Sequence, residues 1–98
     1  MITSRKVVLV TGRDYIAKRD DAFLLELLKA KVELFCAVGH SAHNWEDAMD
    51  WLRIDETGLA EHFVFTTAHT DETVEEVIAF AEHFECSVPC QVEVLYLS

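Results

Sequence analysis

The residues able to do chemistry in this 98-residue chain gather just after short apolar runs. Thr11-Gly12-Arg13-Asp14 follows Val7–Val10. His40-Ser41-Ala42-His43-Asn44 follows the run from Val32 to Val38. Thr66-Thr67-Ala68-His69 completes a third run that begins at Phe63. Three of the five histidines therefore stand at the ends of these runs. The set Asp14, Thr66, Thr67 and His69 is the candidate ligand pocket. A metal reading would recruit His40, His43 and His69 with Asp14 or Asp47, because imidazole and carboxylate suit zinc-like ions. His-x-x-His in a loop falls short of a His-Glu-x-x-His helix motif. Solvated loop histidines are the plainer reading, and no metal or cofactor is expected.

Other fingerprints fail on specific residues. Gly12 has no second glycine and no Lys-Ser/Thr pair after it, so neither phosphate-loop pattern is present. Gly39-His40-Ser41-Ala42-His43 echoes a nucleophile elbow, but His43 replaces the final glycine of the sharp turn. Ser41 reads as a turn or capping residue. Three cysteines, an odd number without a secretory leader pattern, fit a reducing, cytoplasmic setting. Cys36 lies inside an apolar run and should act as a small hydrophobe. Cys86-Ser87-Val88-Pro89-Cys90 is a C-x3-C loop with His83 three residues before it. It could make a metal clip or a redox pair, yet it lacks C-x2-C spacing and a second ligand pair, so coincidence is the favoured reading.

The elements that must position these groups follow from periodicity. Val7–Val10 is a continuous apolar run and Val32–Val38 is nearly all apolar, which suggests strands covered on both faces. Between them a helix from about Tyr15 to Lys31 presents Phe23, Leu24, Leu27 and Leu28, with Asp20, Glu26 and Lys29 expected outside. Asn44 is expected to cap a second helix whose buried stripe is Trp45, Ala48, Met49 and Leu52, fading by Gly58. Phe63–Thr67 reads as the third strand. Thr70 or Asp71 should cap a third helix carrying Val74, Val77, Ile78, Ala81 and Phe84. Val88-Pro89 breaks the chain before a last strand, Gln91–Leu97, which Glu93 marks as an edge.

Alternating strands and helices imply parallel βαβ units. The expected fold is a single α/β domain over residues 1–98: a minimal three-layer, Rossmann-like arrangement of four mostly parallel strands and three helices. The expected strand order is 2-1-3-4, as in flavodoxin-like folds. In such sheets ligands bind beyond the strand carboxyl ends at the topological switch point. That order would put the loops after the first and third strands side by side.

Three stretches also carry a resemblance. They are Gly39 to Asp50 with its Trp45-Glu46-Asp47 and Asp50, then Phe63-Val64-Phe65-Thr66-Thr67-Ala68-His69, and Asp71-Glu72 through Glu75-Glu76-Val77 to Phe80-Ala81 and His83. Together they resemble a family of small, uncharacterised bacterial α/β proteins. That resemblance implies the architecture, lends no activity, and draws attention to Trp45, Asp47, Asp50, Thr66, Thr67 and His69.

Charge supplies the remaining signal. The net charge is −10, with 18 acids against eight Lys and Arg. Every Lys and Arg lies between Arg5 and Arg53, so the chain from Ile54 onward is purely acidic. Nucleic acids and anionic membranes need a basic surface and are not expected partners. On the third helix Glu72, Glu75, Glu76, Glu82 and Glu85 fall off the apolar stripe, and Asp50, Asp55 and Glu56 would form a second acidic surface. Most such faces only aid solubility; the functional reading is docking onto a basic protein. A non-catalytic interaction domain using Glu72, Glu75, Glu76 and Glu82 is therefore preferred. The alternative is a small-molecule or metal-binding enzyme around His69. The last strand is also expected to expose an edge suited to homodimer pairing.

Overall fold

The computed structural model describes residues 4–55, 64–87 and 90–97. Four strands, β1 (Lys6–Thr11), β2 (Leu34–Val38), β3 (Phe65–His69) and β4 (Val92–Leu97), alternate with helices α1 (Ala17–Lys29), α2 (Ala42–Asp55) and α3 (Val74–His83). All four strands are parallel in one sheet, as the alternation implies. The α/β three-layer architecture expected from the sequence is the one observed.

The strand order is 3-2-1-4, not 2-1-3-4. Burial supplies the reason. Every residue of β2 and the first four of β1 are buried, and these two strands occupy the centre. In β3 only His69 is buried, and β4 has no buried residue. Placing β2 at an edge would expose one of its apolar margins to water, whereas the mixed strands tolerate an edge. The α1 and α2 crossovers lie on one face, called the front. There Leu24, Leu27, Leu28, Trp45, Met49 and Leu52 pack on Val7, Leu9, Phe35 and Ala37. The α3 helix crosses the back alone, with Val77 and Ala81 on Val8, Leu34, Cys36 and Val38.

Element ends show how local chemistry fixes these positions. The α1 helix closes in a Schellman arrangement: Lys31 N–H reaches Leu28 O at 3.0 Å and Val32 N–H reaches Leu27 O at 3.3 Å. Lys31 holds the left-handed position, at φ 64°, where glycine is usual. The α3 N-terminus is capped by Thr73, later than the expected Thr70 or Asp71. Thr73 Oγ1 accepts from Glu76 N–H at 3.1 Å while the Glu76 carboxylate accepts from Thr73 N–H at 2.9 Å, a capping box. The α2 helix starts at Ala42, so Asn44 lies inside its first turn. Expectations for Gly58, Phe63, Glu56 and Val88-Pro89 fall outside the described residues.

One glycine is decisive. Gly39 ends β2 at φ 136°, and a Cβ there would stand 2.0 Å from Thr11 O. Its N–H donates to His69 O at 3.0 Å. A single residue thus draws the carboxyl ends of β1 and β3 against β2, which only a residue without a side chain permits.

Candidate functional site

The four residues of the sequence-based pocket do not share one surface. Strand order puts β2 between β1 and β3, so the β1 and β3 loops stand two strand spacings apart, about 9.5 Å. Parity then divides the rest, because successive strand residues point to opposite faces. Thr66 pairs in register with Phe35 on the front, and its Oγ1 donates to Asp50 of α2 at 2.9 Å. Thr67 and His69 pair with Cys36 and Val38 on the back. Asp14 belongs to the β1 loop, where it accepts a hydrogen bond from Ser41 and lies 3.7 Å from His40 Nε2.

The β1 loop is instead built around Asp20. This carboxylate was expected on the outer side of α1, but it is 1% exposed. It accepts Ile16 N–H at 2.9 Å, Arg13 Nη2 at 2.8 Å and Arg19 Nη2 at 3.0 Å. Burial pushes its pKa up, but Arg19, the Ile16 N–H and the Arg13 charge outweigh this and hold it below the ordinary carboxylate value. The Trp45 indole donates to Arg13 O at 3.1 Å, and Tyr15 meets the Trp45 ring edge-on at 5.5 Å. Trp45 is therefore a fully buried clasp between α2 and the β1 loop. Asp47 is exposed. Asp50 binds Thr66, so the first of the expected second-surface acids is spent on packing α2 to β3.

Among the described residues, His69 is the most enclosed histidine. It is 9% exposed, with Nε2 2.8 Å from Thr67 Oγ1 and Nδ1 2.7 Å from the Glu72 carboxylate. Phe80 of α3 lies against its ring at 5.8 Å. Both ring nitrogens are therefore engaged, and the group fastens the β3 end to the start of α3. His40 and His43 are each 72% exposed, and His43 sits 3.6 Å from Glu46. Among the described residues, no group of three or more His, Cys, Asp or Glu side chains is arranged to hold a metal ion.

The exposed face of α3 offers a different site. Glu75, Glu76 and Glu82 lie on α3 and are exposed, as the helical stripe predicts, whereas Glu72 and Glu85, also exposed, lie before and after the helix and not on it. Two have structural duties: Glu72 binds His69, and Glu76 closes the capping box, which holds its pKa below the ordinary value. Glu75, Glu82 and Glu85 make no side-chain hydrogen bond or ion pair with another described residue. Between these acids lies an open apolar depression of about 600 Å³, lined by Glu76, Ala79, Phe80, His83 and Phe84. Phe80 is 45% exposed, and Phe65 on the adjoining β3 edge is 52% exposed and meets Phe84 edge-on at 5.7 Å. Sequence reasoning found the acids but missed these aromatics. Phe80 falls just beside the Val74-Val77-Ile78-Ala81 stripe, and Phe65 points backwards from an edge strand, so both overhang the margin of the core.

A family model described as a domain of unknown function, DUF7684, matches residues 2–96. The chain belongs to this family. No curated protein and no solved structure matches it. Membership thus agrees with the resemblance to an uncharacterised small family and supplies no chemistry. Among the described residues, no helix is long and apolar enough to cross a membrane.

Proposed function

We propose that this DUF7684 chain is a non-catalytic interaction domain that docks a basic protein through the exposed face of α3. The observation that carries this reading is the combination on one helix of exposed aromatic surface and uncompensated carboxylates. Phe80 and Phe84, with Phe65 beside them, border an apolar depression, while α3 contains no Lys or Arg. Protein interfaces have this anatomy: an apolar, aromatic centre supplies affinity and a charged rim supplies steering and selection. The acids that hold no internal partner are the ones free to meet cations outside.

An enzyme reading centred on His69 draws less support. A general base or ligand must offer a nitrogen to its substrate, and both His69 nitrogens are already engaged by Thr67 and Glu72. The charge test uses Glu75 and Glu82, because reversing Glu72 or Glu76 would also disturb His69 or the helix cap. Immobilised wild type and a Glu75→Lys/Glu82→Lys variant are compared for capture from host lysate over a salt series. The expected outcome is a basic protein held by wild type, released as salt rises, and reduced at least about tenfold on the variant. Equal, salt-independent capture by both would contradict the reading.

A further inference from the structure

The two thiols of the C-x3-C loop meet on the back of the sheet, below α3. Cys90 Sγ donates to Cys86 Sγ at 3.5 Å. A disulfide needs about 2.05 Å, so closing the bond asks for roughly 1.5 Å of side-chain movement. Both cysteines are half-buried, whereas Cys36 is fully buried in β2. Ser87, next to Cys86, is held from the side, since its N–H donates to Glu33 at 2.8 Å and Arg5 pairs with the same carboxylate at 3.2 Å. Cys90 also lines an open cavity of about 360 Å³ with Lys6, Glu82, Gln91 and Val92. The Lys6 ammonium, 3.3 Å from Glu82 O, places a positive charge at that cavity. The His83 Nδ1 is bonded to Ala79 O at 2.8 Å, and among the described residues His83 and the two thiols are not arranged as a metal-holding group.

We infer that Cys86 and Cys90 form a reversible dithiol–disulfide site that exchanges with small, carboxylate-bearing disulfides entering the cavity beside Lys6. The inference is independent of the docking surface on α3. The geometry divides the work between the thiols. Burial is the main cause that pushes the Cys86 thiol up, to about 11, with the Glu33 carboxylate adding to it and Lys6 opposing it. Cys90 lines the cavity and Cys86 does not, so Cys90 is the thiol that an entering disulfide meets and the one that attacks. Cys90 loses its proton and attacks one sulfur of the reagent. The reagent's S–S bond breaks, and its other half leaves as a thiolate that takes up a proton. Cys86 then gives up its proton and attacks the Cys90 sulfur of the mixed disulfide, expelling the second half as a thiol. The protein loses two electrons and two protons, and one reagent disulfide becomes two thiols.

The full-length chain is equilibrated with glutathione disulfide and glutathione at pH 7.5, quenched by alkylation and weighed intact. The expected product has lost two alkylatable thiols without gaining mass from the reagent, and Cys36 alone is alkylated after denaturation. Cys86→Ser should accumulate one stable glutathione adduct, while Cys90→Ser should acquire its adduct at least about tenfold more slowly. The equilibrium for ring closure should favour the disulfide at least about tenfold more in the folded chain than in urea, because the fold and not sequence proximity aligns the sulfurs. Adducts on both cysteines without ring closure would overturn the inference. So would closure no more favourable in the folded chain than in urea, or a faster reaction at Cys86 than at Cys90.

Discussion

The two faces of the sheet handle charge in opposite ways. On the front, two cations of the first βα unit are spent on a buried acid: Arg13 and Arg19 converge on Asp20, and that ion cluster shapes the loop on which Trp45 closes. On the back, the carboxylates of α3 point outward with no Lys or Arg on the helix, and Lys6 from β1 donates to the Glu82 carbonyl near its C-terminus, not to an α3 carboxylate. The same residue classes thus serve architecture on one face and remain available on the other. A charged group is a better functional candidate when its neighbours leave it unused, and by that criterion α3 outranks the strand carboxyl edge.

The largest effect expected from breaking this division comes at Gly39. Gly39→Ala forces a Cβ against Thr11 O in a left-handed conformation, so a loss of about 3 kcal/mol or more in chemical denaturation is expected. Asp20→Ala comes next, since it leaves two guanidinium groups around a vacated carboxylate site, and should cost about 3 kcal/mol. The pH dependence follows from the same residue. Its folded pKa lies below its unfolded value, so its contribution is present above the unfolded value near 4 and is lost as pH falls through the folded one. Wild type should therefore lose more stability than Asp20→Asn on acidification below about pH 4. Thr73→Ala should cost about 1 kcal/mol through the lost cap, lowering the melting temperature without touching the front face. If Asp20→Ala proved neutral, the use of cations on a buried acid would not be what distinguishes the front.

How much of this was legible in the sequence differs by element. The α2 stripe Trp45-Ala48-Met49-Leu52 is buried throughout, because a period of 3.6 reports a core-facing helix directly. Asp20 was misplaced although it lies four residues before Leu24 on the same stripe. Its polarity suggested an outer position, and Arg13 from the β1 loop, with Arg19 and the Ile16 N–H, compensates its burial. The strand order was readable in principle from the contrast between the fully apolar β2 and the threonine-rich β3. Likewise, adjacent Thr66 and Thr67 cannot face one pocket from a strand, yet their shared chemistry invited that grouping. The exposed acids Glu75, Glu76 and Glu82 of α3 were legible, but its ends were not, since Glu72 and Glu85 fall outside the helix. The aromatic depression on that face was not legible either, since Phe65 and Phe84 meet only through the fold. The same holds for the 3.5 Å approach of Cys86 and Cys90.

The most direct measurement is residue-resolved amide NMR of the labelled chain during titration with the basic protein recovered by capture. The account predicts shifts confined to Glu75–Phe84 and the neighbouring β3 edge at Phe65, weakened by salt and by Glu75→Lys/Glu82→Lys. Shifts centred on Asp14, His40 and Ser41 instead, with α3 unperturbed, would contradict it.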